Sequence, residues 1–396
     1  MDIRSKADIH TAPDEKQILS GHPMKNRYSA GIRYKRGAWV SIPRRRKLMK
    51  VFQGKPVRIA AAIVLAALVL VLCIWHKCTR AVWCNLTVSK IELDDSADWD
   101  GGTSYTRIPY AEDSDSQYLD LYVPGIAAGE TPKLFVIIHG GGFIYGDSRT
   151  RQAQFMYRYF RDRGYACATV NYRLAQEEPF PGGVCDCKAA IRFLRAHADE
   201  YGYDAEHIAV FGESAGGYLA VMCAVTGDTE FMDVKYIGQD VYGDISARVD
   251  VLVDYYGHID KDCAKQDWKQ LGIPEIVVSI ANSWADKKSL EGFEDMDSYW
   301  HRKNISAMTR EELSECDPNY YIEKNDLTGL SAWIIHGDAD ITVPYLHSER
   351  LARTLTEKLG ADKVSYELVP GMGHASDPLY AEEVLDRLDA FMKEHL

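Results

Sequence analysis

The sequence lacks the features that mark repeat proteins and structural metal sites. Its 396 residues contain no internal repeat and no low-complexity tract. It has nine cysteines, but none of their spacings is that of a zinc site, and they define no disulfide framework. We therefore expect no metal centre.

Positive charge is scarce outside the N-terminal region. Residues 1–58 contain 15 Lys and Arg against 4 Asp and Glu, a net charge of +11. Because the whole chain has a net charge of -12, the remaining residues carry -23. A contrast this large indicates that the two parts of the chain lie in different environments.

Charged residues are absent from residues 59–75, which read IAAAIVLAALVLVLCIW. As a helix this segment would be about 25 Å long, near the lower limit for crossing a bilayer. A buried core helix is the alternative, but the segment is apolar on every face. A cleaved signal peptide does not fit, because the basic region before the segment is too long and no A-x-A site follows. We predict a transmembrane helix at 59–75.

The flanking charges predict the orientation of this helix. Seven Lys and Arg residues between 44 and 58 precede it, whereas only Lys77 and Arg80 follow closely. By the positive-inside rule, residues 1–58 form a basic cytoplasmic tail of a single-pass cell-membrane protein, and the larger C-terminal part lies outside the cytoplasm. Attraction to anionic lipid explains the basic run better than binding to nucleic acid, which we do not expect as a partner. Residues 76–100 are predicted to be a juxtamembrane linker.

Residues 101–396 alternate between short apolar runs and amphipathic segments, a pattern typical of an α/β domain with a mostly parallel sheet flanked by helices. Strands are predicted at Tyr118–Val123, Leu134–Ile138, Ala166–Val170, Ile208–Phe211, Val249–Tyr255, Ala332–Ile335 and Val364–Leu368. Helices are predicted at Gln152–Arg163, Val184–Glu200, Ala215–Val225, Tyr345–Leu359 and Tyr380–Glu394.

One interval, at about 257–330, is too long for a simple connection between a strand and the next helix. It is rich in aromatic residues, among them Trp268, Trp284 and Trp300. We predict a helical insertion that lies over the catalytic face. A peripheral elaboration without substrate contact is the alternative.

A nucleophile motif follows the strand Ile208–Phe211. Gly212-Glu213-Ser214-Ala215-Gly216 fits G-x-S-x-G, and a helical pattern comes directly after it. This strand–turn–helix context is the one in which such a motif forms a nucleophile elbow. The helix N-terminus beyond the serine favours developing negative charge. Ser214 is therefore the predicted nucleophile.

A glycine-rich motif, His139-Gly140-Gly141-Gly142-Phe143, follows the strand Leu134–Ile138. Glycines allow backbone N–H groups to approach a substrate carbonyl closely. We predict that Gly141, Gly142 and Ala215 donate the N–H groups of an oxyanion hole. His139 is predicted to brace this loop rather than to act as a base.

Together, the two motifs resemble those of the α/β-hydrolase superfamily, in particular its HGGG carboxylesterase branch related to hormone-sensitive lipase. Glu213 stands where that branch often has aspartate, which points toward acetyl and feruloyl esterase relatives. The resemblance covers roughly residues 100–396. It implies an α/β-hydrolase fold, a Ser-Asp-His triad and no cofactor.

The resemblance also implies the two partners of Ser214. The segment His336-Gly337-Asp338-Ala339-Asp340-Ile341-Thr342-Val343-Pro344 looks like the family's H-G-x-x-D-x-x-V-P segment, which makes Asp340 the acid, with Asp338 as the competitor. His374 lies on the loop after the last predicted strand, where the family has its catalytic histidine.

The predicted activity is hydrolysis of carboxylic esters with small or medium acyl groups, on a small-molecule or carbohydrate substrate. Two alternatives remain. A peptidase of the prolyl-oligopeptidase type shares the fold but commonly has a tyrosine in place of the HGGG loop. A non-catalytic adhesion domain, as in the neuroligins, lacks the nucleophile.

Overall fold

The computed structural model describes residues 102–125, 130–229, 242–260, 264–281, 296–303 and 305–396. Its centre is an eight-stranded sheet in the order β1-β2-β4-β3-β5-β6-β7-β8. β2 pairs antiparallel with both of its neighbours, and all pairs from β4 to β8 are parallel. The strands are β1 (Thr103–Pro109), β2 (Tyr118–Val123), β3 (Lys133–Ile138), β4 (Ala166–Val170), β5 (Asp204–Glu213), β6 (Val251–Tyr255), β7 (Ser331–Gly337) and β8 (Val364–Val369).

Helices connect most of the parallel strands. They are α1 (Arg151–Arg161), α2 (Gly182–Ala196), α3 (Ala198–Tyr201), α4 (Ala215–Thr226), α5 (Ala264–Gln270), α6 (Glu275–Ala281), α7 (Met296–His301), α8 (Arg310–Glu315), α9 (Pro318–Lys324), α10 (Leu346–Leu359) and α11 (Glu382–His395). Two single-turn 3₁₀ helices occupy Ile305–Ala307 and Asp377–Tyr380.

Both faces of the sheet are covered, as the apolar strand sequences require. Along β3, the side chains of Leu134, Val136 and Ile138 belong to a core cluster with side chains of α2, α4 and α10. The alternate residues, Phe135 and Ile137, belong to a second cluster with α1 and α11. Successive strand residues point to opposite faces, so a continuous apolar run is what a strand buried on both sides needs.

The seven predicted strands are all present, but sequence analysis missed β1. This strand has an exposed pattern, with only Tyr105 and Ile108 partly buried, and it pairs at the edge of the sheet with β2. Its sequence, TSYTRIP, therefore carries no core pattern that periodicity could detect.

The prediction of one helix over Val184–Glu200 was wrong in its extent. α2 ends at Ala196, and His197 adopts a non-helical conformation before the single turn of α3. Gly202, in the left-handed region, then ends that turn. The other predicted helices agree with the structure to within two residues.

The interval between β6 and β7, where the insertion at about 257–330 is predicted, contains helices in its described parts. It contributes the short helices α5 to α9. Residues 261–263, 282–295 and 304 of this interval lie outside the described residues.

None of the helices that the structure describes is long and apolar enough to cross a membrane. The predicted transmembrane helix at 59–75, the tail at 1–58 and the linker at 76–100 lie outside the described residues. They stay predictions from the sequence.

Candidate active site

The predicted site residues meet at the carboxyl edge of the parallel sheet. The glycine loop follows β3, Ser214 follows β5, Asp340 follows β7 and His374 follows β8. In open parallel sheets, this edge is where ligand sites form. Residues that are more than 200 positions apart in the sequence, such as Gly141 and His374, are therefore neighbours here.

Ser214 lies on the turn between β5 and α4, at φ 53° and ψ -117°. A methyl group on Gly212 would collide with the carbonyl of Gly216, and one on Gly216 would collide with the carbonyls that end β3. Both glycines are needed because the turn brings backbone against backbone. The turn leaves Ser214 partly exposed at the N-terminus of α4.

Ser214, His374 and Asp340 form a continuous chain of hydrogen bonds. His374 Nε2 lies 3.0 Å from Ser214 Oγ, and His374 Nδ1 lies 2.7 Å from Asp340 Oδ2. The other carboxylate oxygen, Asp340 Oδ1, accepts the N–H groups of Thr342 at 2.8 Å and Val343 at 2.9 Å. This arrangement orients the imidazole so that Nε2 faces the serine.

The charge of Asp340 is stabilised although its side chain is buried. Burial alone would raise the pKa of this carboxyl, but the adjacent His374 and the hydrogen bond from His336 outweigh it and lower the pKa well below its ordinary value. The competitor, Asp338, is exposed and accepts the N–H of Gly371 at 2.6 Å. The structure thus brings Asp340, and not Asp338, to the histidine.

Gly141 and Gly142 form a tight turn beside Ser214. Both have positive φ angles, 125° and 59°, and a side chain on Gly141 would collide with the carbonyl of Tyr145. The N–H groups of Ile144 and Tyr145 each donate to the Gly141 carbonyl at 3.2 Å, which fixes the turn. Gly141, Gly142, Ser214 and His374 line the same cavity. Ala215 follows Ser214 as the first residue of α4.

His139 supports the glycine loop from the protein interior, as predicted. It is fully buried, and its ring stacks on Tyr172 with centroids 4.4 Å apart. The Tyr172 hydroxyl donates to the His139 carbonyl at 3.0 Å. His139 Nδ1 lies 2.7 Å from the Gly140 carbonyl.

A buried group that sequence analysis missed adjoins the nucleophile. Glu213 accepts a hydrogen bond from the Tyr256 hydroxyl at 2.7 Å, and the Tyr380 hydroxyl lies within hydrogen-bond distance of both, 3.2 Å from the carboxylate. Burial raises the pKa of Glu213, although the two tyrosines and His374 favour its charged form. Tyr256 also packs edge-on against His374, with centroids 4.8 Å apart. Sequence analysis named Glu213 only as part of the nucleophile motif, and the position of Tyr256 directly after a predicted strand was the one signal for the tyrosines.

The insertion contacts the glycine loop through Trp300 in α7. The ring of this residue is 1% exposed and stacks on Phe143, with centroids 3.8 Å apart and planes 5° apart. Its carbonyl accepts the N–H of Phe180 at 2.9 Å. The described part of the insertion therefore supports the loop that carries Gly141 and Gly142.

Metal-ligating side chains do not cluster in the part of the chain that the structure describes: no group of three or more His, Cys, Asp or Glu is placed to hold an ion there. The polar groups at the site bond one another instead, as described for Ser214, His374 and Asp340.

Known proteins with similar sequences include esterases and carboxylic ester hydrolases. Esterase LipC of Mycobacterium tuberculosis is 26% identical over 69% of this chain and 60% of its own length. Carboxylic ester hydrolase LipN of the same organism is 39% identical over 28% of this chain and 32% of its own length. The chain thus spans less than two thirds of the length of these relatives.

Solved structures with the same fold include a truncated carbohydrate esterase from gut microbiota, at a TM-score of 0.59 and 24% identity, covering 78% of this chain and 99% of that one. A propionate-bound esterase of Thermogutta terrifontis has a TM-score of 0.52 and 21% identity, covering 76% of this chain and 97% of that one. These likenesses show that the fold is that of an α/β-hydrolase.

The family model described as BD-FAE matches residues 119–355, which is more than half of the chain. The matched range includes the glycine loop, Ser214 and Asp340, and His374 follows it. On this match, the chain belongs to the BD-FAE family.

Proposed function

We propose that this chain is a serine hydrolase that cleaves carboxylic esters, with Ser214, His374 and Asp340 as its catalytic triad. The observation that carries the proposal is the hydrogen-bonded chain from Ser214 Oγ through the imidazole to Asp340. The names of its sequence relatives, esterases and carboxylic ester hydrolases, support the same activity.

The geometry suits acyl transfer through a covalent intermediate. Ser214 Oγ attacks the ester carbonyl carbon while its proton passes to His374 Nε2, 3.0 Å away. The imidazolium, stabilised by Asp340, then protonates the departing alcohol as the C–O bond breaks. Water, deprotonated by His374, attacks the acyl-enzyme, and Ser214 leaves with the proton restored.

The N–H groups of Gly141, Gly142 and Ala215 are the proposed oxyanion hole. A tetrahedral intermediate places negative charge on the former carbonyl oxygen, and the loss of one such donor typically costs about 2.7–4 kcal/mol of barrier. Glycine adopts positive φ angles at little conformational cost, so Gly141 and Gly142 hold the loop in this shape without backbone strain. The loop is therefore preorganised.

The substrate proposed is an ester of a short acyl group on a carbohydrate or another small molecule. The cavity beside Ser214 has a volume of about 50 Å³, and Tyr145, Thr150, Gln152 and Thr342 contribute to its wall. A cavity this narrow favours a short acyl group such as acetyl over a bulky one such as feruloyl. The carbohydrate esterase among the structural neighbours supports a carbohydrate as the alcohol part of the substrate.

Acyl-chain preference tests the size of this cavity. With the full chain and p-nitrophenyl esters, we expect kcat/KM to be highest for acetate and to fall by at least about tenfold by hexanoate, because each added methylene must displace the cavity wall. Acetylated oligosaccharides should be cleaved faster than methyl ferulate. Tyr145→Ala opens the wall and should move the optimum to longer chains. An optimum at octanoate or beyond in the unmodified chain would contradict the short-acyl proposal.

We further propose that residues 59–75 span the cell membrane once, with the N-terminus in the cytoplasm and the catalytic domain outside. The support is the uncharged segment and the excess of basic residues before it.

Protease accessibility tests this topology. With an epitope tag after Leu396, protease added to intact spheroplasts should remove the tag, while a tag before Met1 should be digested only after the membrane is permeabilised. A C-terminal tag protected in intact spheroplasts and digested after permeabilisation would reverse the orientation. Extraction of the chain from membranes at high pH would contradict the proposed transmembrane helix at 59–75.

A further inference from the structure

A second histidine is buried on the far side of Asp340. His336, near the end of β7, is fully buried, and its Nε2 lies 3.1 Å from Asp340 Oδ2. The same oxygen lies 2.7 Å from His374 Nδ1. One carboxylate oxygen is therefore shared by two imidazoles, and the mechanism given above uses only one of them.

The neighbours of His336 determine where its proton lies. Its Nε2 faces two acceptors, Asp340 Oδ2 and the carbonyl of Val343 at 3.2 Å, so this nitrogen carries hydrogen. Its Nδ1 lies 2.8 Å from the Ser348 hydroxyl, which is able to donate to it. A neutral imidazole with hydrogen on Nε2 satisfies all three contacts.

Asp254 closes this network at the end of β6. Burial raises the pKa of Asp254 to about 7, although the N–H of Gly257, 3.1 Å away, and the nearby Ser348 hydroxyl favour its charged form. The other groups facing the imidazole are the Tyr256 ring, with centroids 6.3 Å apart, and the carboxylate of Asp340.

We propose that His336 is a positioning residue for the triad: it donates its Nε2–H to Asp340 and so fixes the carboxylate against His374, while Ser348 holds His336 in the tautomer that donates. The proposal rests on the proposed ester hydrolysis at Ser214. Because Oδ1 is held by two backbone N–H groups and Oδ2 by two imidazoles, Asp340 has one orientation in which all four donors are satisfied.

Two substitutions separate this role from a general contribution to packing. His336→Leu removes the donor, whereas His336→Gln keeps an amide N–H near the position of Nε2. We expect His336→Leu to lower kcat per active site by about tenfold to a hundredfold, with KM within twofold of the original value. With one donor fewer, Asp340 attracts the protonated His374 more strongly, so the acidic limb of the kcat/KM profile should move to higher pH. His336→Gln should recover most of kcat and the position of that limb.

His347→Gln is the matched control, because His347 is equally buried but pairs with Asp267, at 3.3 Å, instead of the triad. His347→Gln should lower the free energy of unfolding without moving the acidic limb of the kcat/KM profile. Active sites are counted by labelling with a fluorophosphonate, so misfolded protein does not enter kcat. The proposal would be overturned if His336→Leu kept the original kcat per active site and the original position of the acidic limb. It would also be overturned if His336→Leu lowered only the number of active sites that the fluorophosphonate labels. An unmodified chain that fails to react with the fluorophosphonate would instead overturn the proposed function.

Discussion

Replacing Ser214 by alanine is expected to lower kcat for p-nitrophenyl acetate by about a millionfold, to the residual rate that binding and the oxyanion hole provide. The reason is that the variant has no Oγ to attack the carbonyl or to pass a proton to His374, 3.0 Å away. Release of p-nitrophenol under saturating substrate measures the loss. Labelling by a fluorophosphonate should disappear as well.

The control for this variant is Ser314→Ala in α8. The Ser314 hydroxyl bonds the Arg310 carbonyl within its own helix, so its loss should leave both hydrolysis and labelling unchanged. Far-ultraviolet circular dichroism of Ser214→Ala should match that of the unmodified chain, because Ala tolerates the surroundings of a partly exposed serine. Labelling that survives in Ser214→Ala would place the nucleophile elsewhere.

Labelling and ester hydrolysis, together with an amide substrate that has proline before the cleaved bond, separate the three functions that the sequence left open. A chain that labels and cleaves esters fits the proposal. A chain that labels but cleaves only amides after proline would be a peptidase, in spite of its HGGG loop. A chain that neither labels nor cleaves any ester would be a non-catalytic relative.

The sequence predicted the features of the site that short-range sterics determine. Gly212 and Gly216 flank Ser214 because the turn presses backbone against backbone, and that requirement is local. The glycine loop after β3 follows the same rule. Asp340 and His374 were predicted through the resemblance to the α/β-hydrolase family, and the parallel topology places both beside Ser214 because each follows a strand.

The contacts that escaped prediction join residues with no local pattern. Glu213, Tyr256 and Tyr380 bond one another across more than 160 positions, and Trp300 reaches Phe143 from the insertion. β1 escaped because an exposed edge strand needs no apolar alternation. Sequence analysis named His336 only as part of the H-G-x-x-D-x-x-V-P segment, because nothing in the sequence shows that a second imidazole shares the Asp340 oxygen.

Replacing Asp340 by asparagine is expected to lower kcat by about ten-thousandfold. The two backbone N–H groups of Thr342 and Val343 hold the amide oxygen at the Oδ1 position. The amide nitrogen must then face His374 Nδ1 and turn it into an acceptor. The imidazole proton would move to Nε2, where it blocks uptake of the proton from Ser214. The variant nitrogen would also face the Nε2–H of His336, so this substitution reverses the hydrogen bond to His374 and loses the one from His336.

Asp338→Asn is the matched control for Asp340→Asn, since it makes the same chemical change two residues away. Asp338 is exposed and accepts one backbone N–H, from Gly371, which an asparagine oxygen also accepts. We expect its kcat to stay within about twofold of the original, because exposed substitutions that keep their hydrogen bond have small effects. Both variants should be compared per active site, counted by fluorophosphonate labelling under long incubation. A large loss in Asp338→Asn with little loss in Asp340→Asn would make Asp338 the catalytic acid. If kcat fell less than tenfold in Asp340→Asn and was unchanged in Asp338→Asn, the tautomer of His374 would depend on neither carboxylate.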